Sequence, residues 1–197
     1  MIFRFALISL SVFSNIYSQK TISKTEYYEN SKQIYSRYHV FESYTSIRQG
    51  EIKVFKKIAE SDYKFFQANK NQERLLMAKG QYDGNIQVGI WEIYSDKTYL
   101  YDVDKKKLLN YNMTVHYPIL AQELGKQGMV VIQYDIDKTF RYANFKGLVG
   151  DSLLIKGAIE DYKSFNNKHS DLLNKMSIVI EDFYQENVKD TINYNLE

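Results

Sequence analysis

The chain has no cysteine. That excludes a disulfide framework, a thiolate metal site, a cysteine nucleophile and a lipid-bearing cysteine, and it suits an oxidising compartment. Proline occurs once, at Pro118, which rules out a proline-rich stalk. The three histidines are His39, His116 and His169, and no two share a metal-ligand spacing such as i, i+4 on a helix. An excess of one charge is missing too. There are 26 basic and 24 acidic residues, and the longest like-charge run is the three lysines at 105–107. A dedicated nucleic-acid surface is therefore not expected. No Gly-x-Ser-x-Gly elbow, phosphate loop or dinucleotide fingerprint occurs. Asp135 and Asp137 share one face of an expected strand. They could hold a cation or act as an acid–base pair, but beside a turn they read as solvated carboxylates. No cofactor is implied and no catalytic residue is nominated, so the expectation is a protein that is not an enzyme.

What is present is aromatic and apolar. The 197 residues are 44% hydrophobic, with 18 tyrosines and 11 phenylalanines. That is enough for a real core in one large or two small domains, and the rings favour β structure. Met1 to Ser18 has one basic residue, Arg4, then an apolar run from Phe5 to Phe13 and a more polar end at Ser18. This is the layout of a secretory signal. As a retained anchor it would fall short of the roughly 20 residues that span a bilayer. The expectation is a cleaved leader over 1–18, a periplasmic or secreted mature protein and no membrane span after cleavage.

Residues 19–35 are polar, without a sustained apolar period, and read as an arm. From Ser36 the pattern is β-like, with a turn at Gln49-Gly50, a strand around Ile52, Val54 and Ile58, and another over Tyr63 to Gln67. In KGQYDGNIQVGIWEIY, Lys79 to Tyr94, the pair Asp83-Gly84 is a hairpin signal. Gly80, Tyr82, Gly84, Gly89, Trp91 and Tyr94 resemble one copy of a MORN-type repeat over residues 79–113. The same residues also fit an ordinary β-meander with a tryptophan in its core. Residues 19–113 are thus expected to form a β-rich unit, and 114–197 a second domain.

The segment from Val115 to Phe165 carries the clearest plan. Pro118 suits a helix start, and Tyr117, Leu120, Ala121 and Leu124 recur at helical spacing up to a stop at Gly125. Val130, Ile132, Tyr134 and Ile136 then alternate with Val131, Gln133, Asp135 and Asp137, as in a half-buried strand. A short turn at Lys138-Thr139 leads to a second strand over Phe140 to Gly147. Asp151 or Ser152 can cap a following helix, whose buried stripe would be Leu154, Ala158, Tyr162 and Phe165. Gly157 falls inside that helix at a cost of about 1 kcal/mol, unless close packing requires it.

The run Tyr117-Pro118, Ala121, Gly125, Gln127-Gly128, Val130-Val131, Ile136-Asp137, Gly150, Leu153-Leu154 and Ala158 resembles the C-terminal domain of TonB proteins, over roughly residues 115–184. The resemblance implies an α+β domain with two helices on a three-stranded antiparallel sheet. Met176 to Phe183 is the expected third strand, with Met176, Ile178 and Ile180 on one face. The hairpin departs from the family, since no glycine follows Ile136-Asp137. The family binds an extended peptide of an outer-membrane transporter as an added strand on the third-strand edge. Carried over, the partner is a protein or peptide, such as an outer-membrane protein, and the protein-binding residues are Tyr117 with Ser177, Ile178, Val179, Ile180, Glu181, Asp182 and Phe183. That edge is either available or covered by other parts of the chain. The aromatic face of Tyr82, Trp91 and Tyr94 is a second candidate surface. The expected function is an exported, non-catalytic binding module of the bacterial envelope. The alternative is a secreted enzyme or enzyme inhibitor with a site where the two units join.

Overall fold

The structure, a computed structural model, describes residues 20–68 and 72–195; the expected leader lies outside them. It is α+β, with a seven-stranded antiparallel sheet, a three-stranded antiparallel sheet and helices. The strands of the large sheet follow one another in chain order: β1 (Thr21–Tyr27), β2 (Ile34–Phe41), β3 (Tyr44–Phe55), β4 (Leu76–Asp83), β5 (Ile86–Tyr94), β6 (Thr98–Asp102) and β7 (Lys107–Leu108). Contacts divide the chain within β5, after Trp91, into two compact units.

In the first unit three expectations are corrected. The polar arm is β1 and the approach to β2, paired from Thr21↔Phe41 to Glu26↔Ser36. An edge strand exposed on both faces buries little, so it shows no apolar period. The expected turn at Gln49-Gly50 is a bulge inside one continuous strand: Tyr38 faces Ile52 while His39 faces Gln49, and Gly50 takes φ 76°. The expected strand over Tyr63 to Gln67 lies in helix α1 (Glu60–Ala68). Tyr63 buries against Phe55 and Leu75, with Phe66 packed on the same cluster three residues on. Glu60 and Asp62 in the first turn suit the positive end of the helix dipole.

The β4–β5 hairpin forms as expected, with Gly84 and Asn85 at φ 58° and 71° in its turn. Two positive φ angles match the twist of the flanking strands. Trp91 is fully buried, and Gly80 is what admits it. A Cβ at Gly80 would stand 2.1 Å from Trp91 Cδ2, closer than any packed side chain tolerates.

The second unit holds the rest of the large sheet and the smaller one. Its elements are α2 (Ile119–Glu123), β8 (Gly128–Ile136), β9 (Tyr142–Val149), α3 (Ser152–Lys168), α4 (Ser170–Val179) and β10 (Gln185–Tyr194), with sheet order β10-β8-β9. Val130, Ile132 and Tyr134 of β8 pack with Leu154, Ala158 and Tyr162 of α3, Ala121 of α2 and Tyr194 of β10. The expected stripe of α3 is buried throughout, and Asp151 caps it by accepting from Leu153 N at 2.9 Å. Gly157 has its close contact, because a Cβ there would lie 2.1 Å from Pro118 Cγ. α2 is only one turn long and buries Ala121 alone; Leu120 and Leu124 are exposed.

The expected third strand is corrected. Ser177, Ile178 and Val179 belong to α4, and Ile180 to Phe183 form the loop after it. Leu172, Leu173, Met176 and Val179 are buried at i, i+1, i+4 and i+7, a helical face. The alternation of Met176, Ile178 and Ile180 was only part of that pattern, and Ile178 is 54% exposed. The third strand is β10, taken from the sequence expected to be a tail. It pairs with β8 from Val188↔Tyr134 to Tyr194↔Gly128 without a break.

Candidate functional site

The residues expected to offer a strand edge do not form one. Val179, Ile180 and Phe183 are buried, Ile178, Glu181 and Asp182 are exposed, and Ser177 bonds back to Asn174 O. Tyr117 is half-buried against Tyr194, with its hydroxyl donating to Lys126 O. The second candidate surface is not a surface. Tyr82 and Trp91 are core residues in edge-to-face contact at 5.9 Å, and Tyr94 is half-buried with its hydroxyl on Glu92.

What the fold does present is the outer rim of β10. It is the end strand of its sheet, and no backbone hydrogen bond joins it to an element other than β8 among the described residues. Lys189, Thr191 and Asn193 are exposed along it, alternating with half-buried Val188, Asp190 and Ile192. The opposite edge, β9, is interrupted by two register shifts against β8 and by Asn144 at φ 51°.

The inner face of the same strand carries a second feature. Asp190 pairs with Ile132, so it points to the core side of the sheet. Its Oδ2 accepts from Tyr134 at 2.8 Å and also from the Tyr162 hydroxyl. Burial, then this hydrogen bond, raises both phenols well above the ordinary range. Burial likewise pushes Tyr142 up to about 12. Asp190 lies on the wall of a cleft of about 420 Å3 within the second unit. Phe140 and Phe183 stack there at 4.0 Å, with Tyr101 edge-on to Phe140 at 5.6 Å. Phe140 was expected inside a strand but sits in the loop before β9 at φ 61°. That conformation is uncommon for a bulky residue.

No protein-family model and no curated protein matches the chain. The likeness to TonB C-terminal domains therefore stands on the residues that carry it.

The remaining candidates are occupied structurally. Asp135 accepts from Asn187 N and Asn144 Nδ2, bonds that lower its pKa. At Asp137 burial works the other way, but bonds from Thr139 and Arg141 outweigh it and the pKa falls. Both carboxylates hold turns together. His116 bonds Asp161 at 3.0 Å on the surface, and His169 meets Tyr111 at 3.2 Å where α3 passes into α4. Among the described residues no cluster of three or more His, Asp or Glu could hold a metal ion, and no helix is long and apolar enough to cross a membrane.

Sequence reading missed β10 because of Asp190. The run Val188, Asp190, Ile192, Tyr194 alternates like a strand, but a carboxylate stands where an apolar residue is expected. The signal was available in Ile192 and Tyr194, weakened by the residue that makes the site.

Proposed function

We propose that the protein is an exported, non-catalytic binding module of the bacterial envelope that captures an extended segment of another protein as an added strand on β10. The observation that carries this reading is the outer rim of β10, an unbroken edge with no strand partner beyond it among the described residues. Such a rim offers backbone donors and acceptors to an incoming strand, and their hydrogen bonds supply affinity. The exposed Lys189 opposes indiscriminate pairing, a common guard on edge strands. The resemblance to TonB C-terminal domains supports the same mode, transferred from Ser177–Phe183 to the strand that is third in the sheet. The Arg4, Phe5–Phe13 and Ser18 layout supports export.

A photo-crosslinking residue placed at Thr191 in the intact envelope tests the reading, with one at Ile178 as the control. Thr191 should give a discrete protein adduct and Ile178 none. Adducts from Ile178 alone, or from neither position, would refute capture on β10.

A further inference from the structure

The aromatic cleft is a binding site of its own, on the opposite side of β10 from the solvent-exposed residues, and it stands independently of strand capture. Its volume of about 420 Å3 lies within the range of small-molecule sites, about 300–1,000 Å3. Three features describe the ligand. The wall is aromatic: Tyr101, Phe140, Tyr142, Phe165 and Phe183 all line it, and ring faces attract organic cations. One carboxylate, Asp190, lines it as well and is half-buried. It is hydrogen-bonded by two phenols, but no basic side chain pairs with it among the described residues. A negative charge drawn this far from water calls for a compensating cation. The third feature is the turn between β6 and β7, where Lys105, Lys106 and Lys107 line the same cleft. Lys105 is held by Asp102 at 2.9 Å, while Lys106 and Lys107 are exposed and carry positive charge toward the solvent side.

Two further observations favour a built site over a packing fault. The Tyr101 hydroxyl is buried without a partner among the described residues, and such groups ordinarily find one. Phe140 and Asp182 both hold positive φ, at 61° and 50°, in the segments that bring the Phe140 and Phe183 rings together. Strain of this kind persists where the surroundings require it.

We propose that this cleft binds a small zwitterion. Its alkylammonium end enters among the rings toward Asp190, and its anionic group remains at Lys106 and Lys107. An ammonium ion alone would leave the lysines unused, and an anion alone would meet Asp190.

The test is titration of the mature protein with phosphocholine, choline and inorganic phosphate, followed by NMR of the ring resonances and by calorimetry. Phosphocholine should bind saturably and shift Phe140 and Phe183. Choline should bind more weakly, and phosphate should leave the rings unmoved. Asp190→Asn should weaken both cationic probes about tenfold, the scale of a lost desolvated charge contact. Because Asp190 also anchors two tyrosines, a Lys106→Ala/Lys107→Ala double variant gives a second reading on surface positions. It should weaken phosphocholine several-fold and leave choline unchanged. Vesicles of phosphatidylcholine separate the sources: co-flotation assigns the zwitterion to a lipid headgroup, and its absence, with soluble phosphocholine still binding, assigns a free solute. Failure of both phosphocholine and choline to shift the cleft rings overturns the proposal. So does a lysine double variant that weakens choline as much as phosphocholine.

Discussion

Asp190 shows how one side chain can hide a strand and organise a core. It stands on the inner face of β10 between Val188 and Ile192, and Tyr134 and Tyr162 both donate to it. Keeping those phenols protonated becomes part of folding stability. An unfolded tyrosine titrates near 10.0, and both are raised well above that in the fold. Their contribution is fully present below pH 10. It is lost progressively as pH rises beyond it, because the unfolded chain releases protons that the folded chain retains. Absorbance titration of phenolate should therefore show late-ionising tyrosines that appear together with alkaline unfolding, and Asp190→Asn should move that transition. Ionisation of every tyrosine near pH 10 with the fold intact would contradict the buried network. Gly157 makes a second residue-scale case. Alanine is the better helix former by about 1 kcal/mol, but a Cβ here meets Pro118 Cγ at 2.1 Å. Overpacking typically costs about 1–3 kcal/mol, so Gly157→Ala should be net destabilising in chemical denaturation. A more stable variant would mean that the contact relaxes freely.

At the scale of elements, α4 is the point where local pattern misled. Strand and helix assign opposite faces to adjacent residues. As a strand, the segment would bury Ile178 and expose Val179; as the helix it is, Val179 is 5% exposed and Ile178 54%. Val179→Asp should thus abolish folding or cost several kcal/mol, as a buried unpaired carboxylate does. Ile178→Asp should change the melting temperature little, and the reverse order would restore the strand. Where an element buries one face with an unbroken period, its sequence was readable. β8, the Leu154–Phe165 stripe of α3 and the β4–β5 hairpin all followed from spacing. Elements whose partners lie far along the chain were not readable. β1 is an exposed edge, β10 carries a carboxylate on its buried face, and α1 is set by Tyr63 meeting Phe55 and Leu75. The cleft was least legible of all. Its rings come from β6, the β8–β9 loop, α3 and the segment after α4, and no spacing rule joins those segments.

At the scale of the whole molecule, the account turns on whether β10 keeps an open rim in the free protein and loses it on binding. Residues along a strand direct their backbone N–H groups alternately to either side. In β10 one alternate set should therefore be bonded to β8 while the other meets solvent. Residue-resolved amide hydrogen exchange reads both sets directly. In the free protein, exchange from Val188 to Tyr194 should alternate between slow and fast. Adding the protein captured through Thr191 should slow the fast set and leave the other unchanged. Uniform protection of β10 in the free protein, or a fast set that stays fast when the partner is bound, would contradict strand capture on this edge.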